Sequence, residues 1–209
     1  EYLPKNPVIL DLMERSFNVL KDHPVNKKRI EKGLRPANSI WLWGEGTRPS
    51  VNNFFETYGL KGSVISAVDL IKGIGICAGL NNIEVPNVTG NVDTNFAGKG
   101  QAAIDTLLKD ENDFVYIHVE APDECGHRNE TENKVKAIEL IDKKILGPVV
   151  EELRKMGDFK VLVTPDHATP LSLRTHTNDP VPFFIYDSTK DYDGVETFNE
   201  KTAKDTGIY

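Results

Sequence analysis

Carboxylate and imidazole side chains recur in three short segments of the chain, at spacings that could hold a metal ion. Asp123 and His127 lie four residues apart in EAPDECGH, and Asp166 and His167 are adjacent in TPDH. His176 follows in THT, nine residues after His167. Oxygen and imidazole ligands without thiolate suit manganese, zinc and other hard or borderline divalent ions rather than an iron–sulfur cluster.

A pair of such ions suits phosphoryl chemistry, because two cations about 3.5 to 4 Å apart neutralise a transferring phosphoryl group. The chain has 25 basic and 32 acidic residues and a formal net charge of −7, so an anion needs a local site of positive charge. The spacing alone leaves a second interpretation open, in which the same residues form solvated turns and hydrogen-bonded loops.

Each of the three segments lies beside a predicted strand. Apolar runs predict strands over residues 114–119 and 159–163, directly before the first two segments, and over 181–186, just after the third. Ligands bind open α/β sheets at the carboxyl ends of the strands, so loops after neighbouring strands can meet at one site. Pro122 and Gly126 predict that the first segment is a loop.

Strand and helix patterns alternate along the rest of the chain. Apolar residues at spacings of three and four predict a long helix over residues 131–156, with a charged outer face. This alternation predicts an α/β fold, a sheet with helices on its faces. The other predicted elements are strands over residues 39–43 and 63–67 and helices over residues 6–20, 26–33, 51–58, 69–80 and 98–109.

Composition limits the class of protein. With 209 residues, 39% of them hydrophobic and 27% charged, the chain is long and apolar enough to fold around its own core. Its acidic balance argues against nucleic acid and anionic membrane as partners, and no apolar run approaches the roughly 18 residues that cross a bilayer. Cys77 and Cys125 form no CxxC pair, which is typical of a reducing compartment, so a cytoplasmic location is expected.

Further polar residues lie close to these segments in sequence or in pattern. Lys99 in the glycine-flanked FAGKG and Arg48 after GEGT are expected to be solvated, because a Gly-Lys pair without the full phosphate-loop pattern is a weak signal. His118 lies within the predicted strand 114–119, where alternation decides whether it faces the core or the site. Glu120 is its neighbour on the same face.

Taken together, the segments resemble a known family. HVEAPDECGH, TPDHATP and RTHTNDPVPF, in this order, resemble the C-terminal metal-binding half of the alkaline phosphatase superfamily, and more closely the archaeal-type 2,3-bisphosphoglycerate-independent phosphoglycerate mutases. The resemblance continues through NSIWLWGEG, ISAVDLIKGIGICAGL and VTGNVDTNFAGKG, so it covers nearly all of the chain. It implies an alkaline-phosphatase-like sheet flanked by helices, and an enzyme that interconverts 3-phosphoglycerate and 2-phosphoglycerate in glycolysis.

The resemblance also implies which residues bind metal. In these enzymes two divalent ions, typically manganese, zinc or magnesium, flank a serine that is transiently phosphorylated. Asp123, His127 and His176 match the ligands of one ion. Asp166 and His167 match ligands of the other ion.

Lys72, in VDLIKGIG, is the predicted catalytic residue. By resemblance it falls where a family lysine neutralises the phosphoryl oxygens. The alternative is a surface lysine at the end of an amphipathic helix.

The resemblance divides the chain into two parts. Residues 1–38 are expected to end an inserted substrate-binding domain, and residues 39–209 to form the C-terminal part of the metal-binding domain. The family's first metal-ligating aspartate and its serine nucleophile have no counterpart here, so the sequence is expected to be a fragment with an incomplete sheet. We expect such a fragment to bind metal partially, to be inactive, and to self-associate through uncovered apolar surface.

Two other functions stay open at this point. A homoserine kinase-like phosphotransferase of the same superfamily would share the metal ligands but not the substrate pocket. A non-catalytic metal-binding module would lack the nucleophile by nature. A phosphoglycerate mutase, with phosphoglycerate as its substrate, is the leading interpretation because the resemblance extends over several separate blocks.

Overall fold

The computed structural model describes residues 3–42, 44, 46–191 and 194–208. The chain forms two compact units, Glu1–Pro49 and Ser50–Tyr209. The predicted division after residue 38, and the assignment of its two parts to an inserted and a metal-binding domain, stay predictions.

The first unit contains the two predicted helices, α1 (Pro7–Leu20) and α2 (Pro24–Glu31). Proline occupies the first turn of both helices, where its missing N–H costs no hydrogen bond. The side chain of Asn26 is buried and donates to the carbonyls of Leu20 at 2.7 Å and Ala37 at 3.0 Å. These bonds tie the segment after α2 back to the helices.

The strand predicted over residues 39–43 is wrong for residues 39–42, and Trp43 lies outside the described residues. The N–H of Ile40 donates to the hydroxyl of Ser16 in α1 at 3.0 Å, rather than to a neighbouring strand. An apolar run becomes a strand only where a second strand completes its backbone hydrogen bonds.

The second unit contains the strands. Strands β1 (Gly62–Ile65), β2 (Asn81–Asn82) and β3 (Phe114–Ile117) run parallel, with β1 in the middle. Strands β4 (Lys160–Val163) and β5 (Phe184–Asp187) form a separate antiparallel pair. The predicted fold class, an α/β fold with a sheet flanked by helices, is confirmed.

Helices pack against the central strand of the parallel sheet. The helices in the described part of this unit are α3 (Phe54–Tyr58), α4 (Asp69–Cys77), α5 (Phe96–Leu108), α6 (Ala121–Arg128), α7 (Thr131–Ile141), α8 (Gly147–Met156) and α9 (Glu200–Asp205). Every residue of β1 is buried, as expected for a parallel strand covered on both faces. Ile65 of β1 packs with Ala103 of α5 and Val149 of α8. This cluster forms one core of the unit.

The long helix predicted over residues 131–156 is one helical run that contains a π-helical segment, Asp142–Leu146, between α7 and α8. Pro148 has no N–H for a normal helical bond. The N–H of Gly147 donates to the carbonyl of Asp142, five residues back. A π segment of this kind absorbs an extra residue without ending the helix.

The other predicted elements are found with shifted limits. The helix predicted over residues 51–58 begins only at Phe54, because the side chain of Asn53 accepts from the N–H of Glu56 and caps the helix. The strand predicted over residues 181–186 is displaced to β5. Strand β2 and helix α9 are too short for a periodic pattern and were not predicted. Among the described residues, no helix combines the length and apolar character needed to span a membrane.

Candidate metal centre

The segment that carries Asp123 and His127 is helix α6, and the prediction of a loop there is wrong. Pro122 lies in the first turn, where its ring favours helix formation, and the same turn is acidic. The helix ends at Arg128, and the left-handed backbone of the next residue, Asn129 (φ +58°), is a common C-cap. These are the sequence signals of a short helix. A helix places residues four apart on one face, which brings the two ligands together.

Asp123, His127 and His176 form a cluster of three potential metal ligands, which we call the Asp123 cluster. Asp123 Oδ2 lies 3.3 Å from His127 Nε2, and Asp123 Oδ1 lies 3.3 Å from His176 Nε2. The two Nε2 atoms are 3.1 Å apart. In the described part of the chain, it is the only group of three or more His, Cys, Asp or Glu residues whose ligand atoms all lie within 4.8 Å of one another.

A bridge within the segment between β4 and β5 places His176 beside His167, and His176 also meets His127, 49 residues away in sequence. Thr177 and Ala168 form an isolated antiparallel β-bridge, in which the N–H of Thr177 donates to the carbonyl of Ala168 at 3.0 Å. The bridge sets the loop after β4 beside the segment that leads to β5. As a result, the ring centroids of His167 and His176 are 3.8 Å apart.

The backbone of Arg174 orients His127. Nδ1 of His127 lies 3.0 Å from the carbonyl oxygen of Arg174, and a carbonyl oxygen can only accept a hydrogen bond. The proton of the neutral ring is therefore on Nδ1, and Nε2 presents a lone pair to the cluster. Arg174 has a left-handed φ of +56°, which is uncommon for a residue with a side chain and is frequent at functional sites.

The donors of the Asp123 cluster fit a divalent metal ion. Two atoms bound to one ion at about 2.1 Å, at tetrahedral or octahedral angles, lie about 3.0 to 3.4 Å apart. The separation of the two Nε2 atoms falls within that range, and each Nε2 lies at such a distance from one oxygen of Asp123, His127 from Oδ2 and His176 from Oδ1. One carboxylate and two imidazoles combine ligand types that zinc and manganese accept, whereas magnesium prefers oxygen ligands alone.

Asp166 and His167, the second predicted ligand pair, follow strand β4 and border this cluster. Asp166 Oδ2 lies 3.5 Å from Nε2 of His167, and the N–H of His167 donates to Asp166 Oδ1 at 3.0 Å. Through the contact between the rings of His167 and His176, all five predicted ligands come together in one region of the second unit. Their binding of metal stays a prediction.

Lys99 is buried, and the prediction that it is solvated is wrong. Its Nζ donates to the carbonyl of His118 at 2.8 Å. Burial lowers the pKa of Lys99 to about 8, and the carboxylate of Glu120 opposes this shift. In the sequence, the glycines that flank Lys99 were the available sign that this segment is tightly packed. A Cβ at Gly100 would lie only 2.5 Å from the carbonyl oxygen of Lys144, so α5 packs too closely there for a side chain.

His118 and Glu120 follow strand β3, so they also lie at the carboxyl end of a strand. Nδ1 of His118 lies 3.2 Å from the hydroxyl of Ser66, which follows β1. Burial lowers the pKa of His118, whereas the carboxylate of Asp166 acts in the opposite direction. Burial also raises the pKa of Glu120, and neighbouring carboxylates add to that effect. These half-buried groups extend the polar edge of the sheet beside the predicted ligands.

Lys72, the predicted catalytic residue, lies in helix α4 and pairs with Glu84. Its Nζ is 3.2 Å from Glu84 Oε2, and its side chain is 17% exposed. The hydrogen bond from Lys72 lowers the pKa of the Glu84 carboxyl. The structure thus gives Lys72 a carboxylate partner, and its role toward phosphoryl oxygens stays a prediction.

Fold and site together define a class of protein. An α/β domain that gathers carboxylates and imidazoles beyond the ends of its strands has the construction of a metal-dependent enzyme. The model of the Metalloenzyme superfamily matches residues 7–208, and the chain belongs to this superfamily.

Curated relatives give a finer likeness. The chain is 49% identical to the 2,3-bisphosphoglycerate-independent phosphoglycerate mutase of Methanothrix thermoacetophila, over 99% of this chain and 53% of that protein. It is 48% identical to the probable 2,3-bisphosphoglycerate-independent phosphoglycerate mutase of Geobacter sulfurreducens, over 100% of this chain and 53% of that protein. The resemblance seen in the sequence is confirmed. The chain spans about half the length of the curated relatives it matches.

Solved structures share the fold. The PH0037 protein from Pyrococcus horikoshii matches with a TM-score of 0.78 and 29% identity, over 92% of this chain and 50% of that one. The cofactor-independent phosphoglycerate mutase from Thermoplasma acidophilum matches with a TM-score of 0.54 and 25% identity, over 96% of this chain and 49% of that one. Both likenesses agree with the α/β fold described above.

Proposed function

We propose that this chain is the C-terminal metal-binding part of a cofactor-independent phosphoglycerate mutase, which interconverts 3-phosphoglycerate and 2-phosphoglycerate through a phosphoserine intermediate. The observation that carries the proposal is the cluster of Asp123, His127 and His176. It occurs in a chain that is 49% identical, along nearly its whole length, to the 2,3-bisphosphoglycerate-independent phosphoglycerate mutase of Methanothrix thermoacetophila. Phosphoglycerate is the proposed substrate, and the cytoplasm is the proposed location.

Five side chains hold metal in this proposal. Asp123, His127 and His176 bind one divalent ion, and Asp166 and His167 supply two ligands to a second. A bound divalent ion withdraws electron density from phosphoryl oxygens and stabilises the charge that develops during transfer.

Two further residues support this chemistry in the proposal. The carbonyl of Arg174 keeps the proton of His127 on Nδ1, so Nε2 is available to the metal. In the proposal, Lys72 leaves its 3.2 Å ion pair with Glu84 to neutralise phosphoryl oxygens.

The serine nucleophile and a further ligand of the second ion come, in this proposal, from residues outside these 209. The Asp123 cluster has three donors of its own, whereas Asp166 and His167 are only two. We therefore expect the 209-residue chain alone to bind divalent metal at the Asp123 cluster and to have no mutase activity.

Titration calorimetry with Mn²⁺ tests the metal centre. His127→Ala removes one of three ligands and should weaken binding by more than the about 10- to 100-fold typical of changes around a metal ligand. His23→Asn is the matched control, because it removes a histidine from the first unit and keeps an acceptor at the N-cap of α2. Equal binding by wild type and His127→Ala would remove the assignment.

Activity is tested in a protein that contains these 209 residues and spans the whole length of the relatives. We expect it to convert 3-phosphoglycerate to 2-phosphoglycerate when Mn²⁺ is added. Phosphorylation of homoserine from ATP instead would favour the homoserine kinase-like alternative. Metal binding without either reaction would favour a non-catalytic module.

A further inference from the structure

We infer that Thr169 is a positioning residue that couples the two predicted metal sites, through hydrogen bonds to one ligand of each. The inference rests on the proposed function and deepens it, because it concerns how that metal centre is held. Thr169 lies in the loop after β4, and the sequence patterns did not single it out.

The hydroxyl of Thr169 contacts Asp123 and His167. Its Oγ1 donates to Oδ1 of Asp123 at 2.5 Å and lies 3.2 Å from Nδ1 of His167. Thr169 is only 6% exposed, so both bonds are shielded from water and are stronger for it. Asp123 belongs to the helix after β3, whereas His167 follows β4. One hydroxyl therefore links the helix that follows β3 of the parallel sheet to the loop that follows β4 of the antiparallel pair.

Counting hydrogens fixes the direction of both bonds. A hydroxyl has a single hydrogen to donate, and a carboxylate can only accept. Since the hydrogen of Thr169 goes to Asp123, the other bond must run from Nδ1–H of His167 to Oγ1 of Thr169. In the neutral ring this leaves the lone pair on Nε2, the nitrogen that lies 3.5 Å from Asp166.

This pattern is the one that orients metal-bound histidines in general. A ligating imidazole donates its second N–H to an oxygen, which fixes both the tautomer and the ring orientation. His127 does the same with the carbonyl of Arg174. His167 and His127 thus both present Nε2, one held by a side-chain hydroxyl and the other by the backbone.

Thr169 is itself held in place by the helices beside it. Lys134 of α7 donates from Nζ to the carbonyl of Thr169 at 2.9 Å. Helix α6 approaches the same carbonyl so closely that a Cβ at Gly126 would lie 2.6 Å from its oxygen. A residue fixed on both sides leaves its hydroxyl little freedom to follow one ligand without moving the other.

Mn²⁺ titration of two variants tests the role of the hydroxyl. Thr169→Val removes the hydroxyl and preserves the size of the side chain, and it should weaken Mn²⁺ binding at the Asp123 cluster about 10- to 100-fold. Thr169→Ser keeps the hydroxyl and should bind close to the wild-type value. Unchanged affinity in Thr169→Val would overturn the inference.

A double-variant comparison tests the coupling. His167→Ala should lower Mn²⁺ affinity at the Asp123 cluster in the wild-type background and have little further effect in combination with Thr169→Val. Asp166→Asn removes the other ligand of the pair but leaves the hydrogen-bond chain intact, so its effect should be smaller. Simple additivity of the first two substitutions would overturn the inference. If Thr169→Val does not fold, the single variants still test the inference. Equal losses of Mn²⁺ affinity in His167→Ala and Asp166→Asn would then overturn it.

Nitrogen-15 NMR of the metal-free protein provides a readout that does not depend on metal. The His167 ring should carry its proton on Nδ1 in the wild type and in Thr169→Ser, and should shift toward Nε2 protonation in Thr169→Val. An unchanged tautomer would overturn the inference even if Mn²⁺ affinity fell. Failure of the wild type to bind Mn²⁺ would instead overturn the metal centre itself, so the two failures are distinguishable.

Discussion

The two predicted metal-binding regions rest on different sheets of the second unit. The Asp123 cluster is built on the helix after β3, in the parallel sheet whose central strand is entirely buried. Asp166 and His167 follow β4 of the two-stranded sheet. There, Leu162 and Ile185 lie opposite each other and are each 61% exposed.

The two regions differ in how many donors converge and in how well those donors are held, although both contain carboxylate and imidazole ligands. The Asp123 cluster has three converging donors, and the buried Lys99 binds the backbone at His118 just before its helix. The other region has two donors that are adjacent in sequence, and Asp166 is exposed. We therefore expect these 209 residues to bind metal firmly at the first region and weakly at the second.

Loss of a ligand from the Asp123 cluster should have the largest effect. His176→Ala should reduce Mn²⁺ affinity by more than about 100-fold, because two donors seldom hold a divalent ion in water. Asp166→Asn should have a much smaller effect. Electron paramagnetic resonance, which counts free Mn²⁺, measures both. Similar losses in the two variants would erase the contrast between the regions.

A methyl group at Gly126 should disturb the contact between α6 and the loop after β4. Its Cβ would lie 2.6 Å from the carbonyl oxygen of Thr169, so Gly126→Ala should lower the free energy of unfolding by about 1 to 3 kcal/mol. Gly73→Ala in α4 is the control. Nothing lies within 4 Å of its added Cβ, so helix propensity should stabilise that variant by about 0.5 to 1 kcal/mol. Urea unfolding distinguishes the two outcomes.

The pH dependence of stability tests the support behind the Asp123 cluster. Burial lowers the pKa of Lys99 from 10.5 to about 8, so the unfolded chain binds a proton between these pH values that the folded protein does not. The free energy of unfolding should therefore rise with pH across this window, on the order of 1 kcal/mol after allowance for solvent screening. Lys99→Met cannot titrate and should lack the rise. If the free energy of unfolding of wild type and of Lys99→Met, measured with urea, changed with pH in the same way, the burial of Lys99 would be contradicted.

Self-association should be the smallest effect and should involve the exposed sheet. The apolar face at Leu162 and Ile185 has no covering element among the described residues, so we expect weak association that grows with concentration. Leu162→Lys should reduce it, whereas Lys136→Ala on the exposed surface of α7 should not. Light scattering that shows a monomer at every concentration would contradict this prediction.

Sequence patterns predicted the elements best where the pattern was long. Helices α1 and α5 lie within a few residues of their predicted limits, because each has a hydrophobic face that repeats with the period of a helix. Strand β3 was predicted from a continuous apolar run instead. Helix α6 is too short for such a pattern, and its proline and glycine indicated a loop. Its start and end signals were present and would have predicted a helix.

The sequence by itself determined the chemistry of the site. It contained the carboxylates and imidazoles, placed the first two segments directly after strands and the third close to one, and so predicted that Asp123, His127, Asp166, His167 and His176 lie near one another. The residue types at each position are local facts, and the alternation of strands and helices indicates the strand ends beyond which they lie. That these strands belong to two sheets was not predicted.

Only the tertiary structure decided what surrounds those ligands. The burial of Lys99, the carbonyl of Arg174 behind His127 and the hydroxyl of Thr169 between Asp123 and His167 depend on contacts between segments far apart in sequence. The contact between Thr169 and Asp123 spans 46 residues. No periodic pattern encodes such a contact, because the packing of α6 and the loop after β4 selects the partner.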